Sequence, residues 1–394
     1  MAKNKRRKPD TLLTTLGRDS DAQQGFVNPP VYHGSTVLSR RVADLDKNYD
    51  DRFQRVVYGR WGTPTHFALQ EAVAELEGGH LSIVVGSGKA AVLCALLAFL
   101  SQGDHLLTVD SAYGPTRRIC ATFLRRMGIE TTFYDPLAGE RIAELFRPNT
   151  RAVFLESPGS LTFEVQDAPA IARAARARGI ATIIDNTWAT PLYFKPFAHG
   201  IDVSVQSATK YIVGHADVTM GLVTANEKTY SAIVEAADTL GSAVGPDDCY
   251  LALRGLRTLG VRLRRHEETG LTLARWLADR PEVLRVLHPA LPGCPGHEFW
   301  KRDFLGACGL FAVVLKPVSD AALAAMLDGL ELFGMGYSWG GYESLVIPAH
   351  PEIVRTATRW EPGGPTLRFH AGLEDPEDLI ADLEGGFARL TASR

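Results

Sequence analysis

Cysteine is scarce and scattered. The chain carries five, Cys94, Cys120, Cys249, Cys294 and Cys308. The number is odd and no pair has Cys-x-x-Cys spacing, which argues against a disulfide framework and a zinc site. A reducing cytoplasm is therefore the expected setting. Long apolar runs are lacking as well. None approaches the roughly 18 residues that a transmembrane helix needs, so no membrane partner is expected. There is no excess of positive charge: 42 Lys and Arg face 45 Asp and Glu, a formal net charge of −3. Nucleic acid finds no basic footprint in such a balance. The start, MAKNKRRKPD, is basic, but no apolar segment follows it. It reads as a solvated terminus rather than a secretory signal. Neither the G-x-G-x-x-G fingerprint nor a P-loop occurs. A dinucleotide-binding dehydrogenase would need the first of these.

What is present is ordinary globular composition, 45% hydrophobic and 22% charged, in 394 residues. Residues 1–60 show little periodicity and many turn formers, such as Asn28-Pro29-Pro30. They read as an extended arm that packs on another surface, such as a second subunit. Thr63-Pro64 then suits the start of a helix, with Thr at the N-cap and Pro at the first helical position. Phe67, Leu69, Ala72, Val73 and Leu76 follow at helical spacing, and Gly78-Gly79 ends the helix. From there short apolar strands alternate with helices. The strands are LSIVV, HLLTV, ETTFY, RAVFLE, ATIID and DVSVQ; the helical segments include KAAVLCALLAFL, GPTRRICATFLRRMG, GERIAELF and DAPAIARAARARG. That alternation predicts an α/β fold with a mostly parallel sheet covered on both faces. After about residue 245 a long Leu- and Arg-rich helix leads into a smaller α+β segment. Its strands are expected in GLFAVVLK, YSWGGYESLVI and TLRFHAG. The expected division is an arm at 1–60, a first domain at 61–255 and a second at 256–394.

Ligands of open α/β sheets sit outside the carboxyl ends of the strands. Four polar features are expected there. Gly86-Ser87-Gly88 lies between a strand and a helix, where backbone can approach a phosphate. Asp185 ends ATIID. Lys210 follows DVSVQSAT, with the hydroxyls of Ser207 and Thr209 just before it. Tyr113 follows HLLTV. Each has a plain alternative: a tight turn, a turn-forming acid, a lysine that snorkels to water. Together they make a phosphate site, a carboxylate, an amine and an aromatic plate, which is what pyridoxal phosphate needs. The amine condenses with its aldehyde, the acid keeps its ring nitrogen protonated, and the tyrosine face stacks on the ring.

Six ordered stretches carry a resemblance over nearly the whole chain after about residue 10. SATKYIVGHADVTMG resembles the lysine segment of the cysteine and methionine metabolism family of pyridoxal-phosphate enzymes. VYGRWGTPT is similar to its Tyr-x-Arg-x-x-x-Pro-Thr stretch, GSGKAA to its phosphate turn and IIDNTWATP to its aspartate strand. SWGGYESL and TLRFHAGLED resemble its C-terminal substrate segments. The resemblance implies fold type I, the aspartate-aminotransferase-like fold, with pyridoxal 5′-phosphate as cofactor. It implies that Lys210 holds the cofactor and that Asp185 partners the pyridine nitrogen. Tyr113 stacks, and Gly88, Lys89, Ser207 and Thr209 surround the phosphate. Lys89 departs from the small residue or Met of many relatives, so its backbone N–H is the part expected to serve. Tyr58 and Arg60 match residues that reach a neighbouring subunit's cofactor, and Tyr58 also joins the substrate side. Arg368 matches the arginine that grips the substrate carboxylate, with Ser338 and Trp339 beside it.

ESPGSLTFEV, HPALPGCPGHEFWKRDF and SWGGYESL resemble the branch of the family that cleaves at a β-carbon. Members that work at the γ-carbon tend to carry a smaller aliphatic residue where Trp339 stands, and they remain the alternative. The implied reaction is β-elimination on L-cystathionine, an amino-acid thioether, to homocysteine, pyruvate and ammonia. Cysteine desulfhydration is the implied side activity. The implied assembly is a homotetramer, a dimer of dimers with active sites shared between subunits.

Overall fold

The computed structural model describes residues 7–45 and 52–392. Positions 1–6, which hold most of the basic start, and 46–51 lie outside the described residues. Seven strands form the larger sheet: β1 Leu81–Val85, β2 His105–Val109, β3 Glu130–Tyr134, β4 Thr150–Glu156, β5 Ala181–Asp185, β6 Val203–Ser207 and β7 Gly221–Ala225. Their order is β1-β7-β6-β5-β4-β2-β3. The pairs β2–β3, β2–β4, β4–β5 and β5–β6 are parallel, while β7 runs antiparallel to both β1 and β6. β2 and β7 are buried along their whole length. Apolar side chains on both faces of a strand call for cover on both sides, and the crossover helices supply it. Among them are Gly88–Leu97 and Ala168–Arg176.

Four more strands, β8 Val283–Leu287, β9 Leu310–Leu315, β10 Leu345–Ala349 and β11 Thr366–His370, form an antiparallel sheet in the order β10-β11-β9-β8. Its core includes Phe311, Phe333, Phe369 and Phe387. The helix Pro246–Ala278 spans 33 residues and contributes to the cores of both sheets, with Leu256 on one side and Leu273 and Leu277 on the other. Position 255, the expected boundary, falls inside this helix. Among the described residues no helix is long and apolar enough to cross a membrane.

Some local departures from the expected elements have visible causes. GERIAEL, Gly139–Leu145, forms 3-10 rather than α turns. Past Tyr113 the α-helix stops at Arg118 and turns π-helical over Ile119–Leu124. There the Thr122 hydroxyl donates to Arg118 O at 2.6 Å and intrudes on the helical ladder. YSWGGY is loop rather than strand, with Ser338 and Gly340 at φ 80° and 88°. Strands β7 and β8 add to those expected. In the arm, a short helix Pro9–Thr15 buries Leu13, and Arg257 on the long helix donates to Leu13 O and Leu16 O. That part of the arm packs on its own chain. Phe26, Leu38 and Val42 stand 68%, 89% and 81% exposed.

Candidate active site

The carboxyl ends of β2, β4, β5 and β6 gather the titratable groups. The register of β4 on β5 sets Glu156 directly beside Asp185. Neighbouring residues in a parallel register point to the same face, so the two carboxyls share one end of the sheet. Burial raises the Asp185 carboxyl above its ordinary range, while the hydrogen bonds of Thr187 and the charge of Lys210 pull it down. One oxygen, Oδ1, accepts from Thr187 N at 3.0 Å. Burial and the neighbouring Asp185 hold Glu156 well above its ordinary value. Its Oε2 accepts from Tyr113 N at 2.7 Å, which ties the turn after β2 to the end of β4. Tyr113 leaves half its surface, 50%, exposed.

Lys210 closes the first turn past β6, with its N–H on Ser207 O at 3.0 Å. Burial and the charge of Arg368 lower its amine from 10.5 to about 8, against an opposing pull from Asp185. The Nζ donates to Ser338 Oγ at 2.5 Å and lies 5.2 Å from the Trp339 ring centroid. Arg368 comes from β11 of the other sheet. Its Nη2 donates to Ser338 O at 3.0 Å and Gly336 O at 3.4 Å, while its buried Nε has no partner. Burial lowers this guanidinium to about 10. A planar fork with a free buried N–H suits a carboxylate.

The phosphate-turn residues also converge. Ser87 caps the helix Gly88–Leu97 by accepting from Ala90 N at 3.1 Å. The amides of Gly88 and Lys89 at that end have no intrahelical acceptor. A side chain at Gly88 would not fit: its Cβ would stand 2.5 Å from Ser207 Cβ. The Lys89 side chain is exposed. Ser207 N donates to Thr187 Oγ1 at 2.8 Å. The Thr209 hydroxyl is already engaged, donating to Met220 O and accepting from Met220 N.

The structure therefore brings together Lys210, Asp185, Tyr113, Arg368, Ser338 and Trp339, and sets Gly88 against Ser207. It does not bring Tyr58 and Arg60 into hydrogen bonds with this cluster. Arg60 Nη2 pairs with Asp238 Oδ1 at 2.7 Å, and Tyr58 meets Trp61 edge-on. Asp238 also accepts from Arg52 and from Trp61 Nε1. Glu156 carries no signal of its own in the sequence. An acid at the end of RAVFLE is unremarkable until β4 is known to lie beside β5.

The donor set fits pyridoxal phosphate. Backbone amides and Ser207 can meet a phosphate, Asp185 keeps an oxygen beyond the Thr187 contact for a ring nitrogen, and Lys210 carries a depressed amine. A family model described as Cys/Met metabolism PLP-dependent enzyme matches residues 10–388. The chain is 46% identical over 391 residues to cystathionine β-lyase MetC of Escherichia coli, covering 98% of this chain and 99% of that one. It is also 46% identical over 392 residues to a cystathionine β-lyase of Salmonella typhimurium, covering 97% and 98%. Among solved structures it resembles cystathionine γ-synthase from Xanthomonas oryzae in complex with aminoacrylate and cysteine. The TM-score is 0.89 at 32% identity, over 98% of this chain and 100% of that one.

Proposed function

Since the chain belongs to the family of Cys/Met metabolism PLP-dependent enzymes, we propose that it catalyses β-elimination on L-cystathionine, releasing homocysteine, pyruvate and ammonia. The fold is type I, the cofactor pyridoxal 5′-phosphate, and the enzyme a carbon–sulfur lyase. The observation that carries the reading is Lys210. Its half-buried amine, lowered to about 8, stands between Asp185 of the larger sheet and Ser338 of the loop that Arg368 holds.

In this reading Gly88, the Lys89 amide and Ser207 seat the phosphate, and Thr209 can join only by releasing Met220. Asp185 would keep the pyridine nitrogen protonated, and Tyr113 would cover the ring. When bound, the cofactor supplies an electron sink for the charge left on the substrate's α-carbon. Arg368 takes the α-carboxylate through its free Nε and orients the α-C–H bond for removal. Lys210 removes the α-proton as general base, which its lowered pKa permits near neutral pH. The β-carbon–sulfur bond then breaks, Lys210 or Tyr113 returns a proton to the sulfur, and one water hydrolyses the three-carbon remainder to pyruvate and ammonia. Ser338 gives the Lys210 amine a hydrogen-bond partner between these duties. Trp339 walls the substrate side. Cysteine also bears sulfur on its β-carbon, so its desulfhydration is a side activity of the same groups.

Tyr58 and Arg60 serve a neighbouring subunit in this proposal, in a homotetramer built as a dimer of dimers. Support comes from their place on the arm and from its exposed apolar side chains, which want a cover. The cytoplasm is the proposed location, in keeping with five free, buried cysteines.

Product analysis tests the reaction. Purified holoenzyme given L-cystathionine should yield pyruvate and homocysteine in equal amounts. Formation of 2-oxobutyrate and cysteine instead would assign the chain to γ-cleavage.

A further inference from the structure

The loop that carries Ser338 and Trp339 is held by side-chain contacts rather than by a sheet. It belongs to no strand, and Ser338 sits in the left-handed region at φ 80°, where a side chain is strained. Gly340, at φ 88°, lies so close to Lys210 that an added Cβ would stand 2.9 Å from the lysine's carbonyl carbon. Two residues of β11 reach this loop from one face of the strand, Arg368 and His370. Arg368 donates to Ser338 O. His370 Nε2 lies 3.1 Å from Gly340 N, which donates to it, and 3.2 Å from Gly341 O. His370 is fully buried.

We infer that His370, backed by His266, is a positioning residue that holds the Ser338–Gly341 loop against Lys210 and so sets how tightly the site grips an α-amino acid. This rests on the reading that Arg368 and Lys210 receive such a substrate. The two contacts of β11 differ in kind. Arg368 is shared, because the guanidinium that holds Ser338 O must also meet the carboxylate. His370 meets the loop but none of the groups assigned to the substrate, so its hold on Gly340 does not change when Arg368 meets the carboxylate.

The other histidine fixes this one. His266 Nδ1 lies 2.8 Å from Ala371 O, and a carbonyl can only accept, so that nitrogen carries the proton. Its Nε2 is then a lone pair, and it is buried without a partner. His370 Nδ1 is likewise buried without a partner, in a ring whose centroid is 5.3 Å away. With its proton on Nδ1, His370 accepts from Gly340 and offers a donor for the His266 lone pair, directly after a small ring rotation or through a buried water. The other tautomer would make Nε2 a donor to Gly341 O, but would leave the Gly340 N–H unmet and two buried lone pairs, His370 Nδ1 and His266 Nε2, without a donor. Burial keeps both rings uncharged, His266 pushed down to about 4 and His370 well below its ordinary value. Tyr211 packs against both rings and against Trp339, which closes the cluster under Lys210.

The test compares holoenzyme variants His370→Ala, His370→Gln and His370→Asn. Binding of glycine, which has no β-substituent to eliminate, is followed through the change in cofactor absorption, alongside KM, kcat and cofactor affinity. His370→Ala should weaken glycine binding and raise KM about tenfold, the size of one lost hydrogen bond. Cofactor affinity should stay within about twofold. The Gln carboxamide reaches the Nε2 position and should recover most of the loss. The Asn carboxamide reaches only the Nδ1 position and should not. Glycine bound by His370→Ala as by wild type, or Gln no better than Ala, overturns the inference. Should the Ala variant fail to fold, equal behaviour of Gln and Asn overturns it. A wild type that binds glycine with this His370 dependence, yet makes no pyruvate from cystathionine, sinks the proposed reaction and supports the loop's role.

Discussion

At the residue scale the amine of Lys210 carries the most chemical information. Its value of about 8, against 10.5 for a free lysine, means the folded protein resists its charge. In cofactor-free protein the rate of amine labelling at Lys210 should therefore rise with pH to a half-maximum near 8. A half-maximum near 10.5 would show an ordinary surface lysine and remove its role as base. Linkage has the same sign: between about 8 and 10.5 the unfolded chain binds more protons, so Lys210 adds stability as pH rises through that window. Lysine and aspartate were legible in the sequence because each ends or follows a short apolar strand, and such ends face the ligand side of an α/β sheet. Glu156 and His370 were not. Glu156 becomes notable only through the pairing of β4 with β5. His370 resembles any histidine in a strand until Gly340, far away in a loop, is seen to donate to it.

At the element scale the proposed phosphate seat depends on two turns in close contact. Gly88 opens one helix and Ser207 closes β6, and there is no room for a side chain between them. Gly88→Ala should push the helix start away from Ser207 and weaken cofactor binding about tenfold or more, read by titrating cofactor-free protein. Unchanged affinity would take Gly88 out of the phosphate seat. The alternation of strands and helices was legible because period and apolar runs are local signals. β7 was not, since GLVTA follows the lysine segment without a helix between. Its antiparallel course is set by what it pairs with, not by its own residues. The YSWGGY loop misled for a related reason. Its aromatics favour a strand, and the left-handed turns at Ser338 and Gly340 win locally.

At the scale of the whole molecule, the described chain leaves Phe26, Leu38 and Val42 uncovered while Leu13 of the same arm is buried. A partner copy that covers the exposed part would bring Tyr58 and Arg60 to a neighbouring site. Sedimentation of the holoenzyme should give about four times the 42.9 kDa chain mass. A monomer would overturn both the assembly and the shared site. Composition could set the class of partner, but not which face meets which, because that is written in surfaces drawn from distant parts of the chain.

The strand order also fixes a timetable. β7 lies between β1 and β6, so Leu81 pairs with Ala225, and Gly88 cannot meet a settled Ser207 until that middle strand is in place. Arg368 and His370 come later still along the chain. A ribosome releases the amino end first, so the lysine and its aspartate emerge well before the groups that enclose them. Contacts of such long sequence separation form slowly. Until β7 has paired and the second sheet has folded onto it, Lys210 therefore has no finished pocket around it.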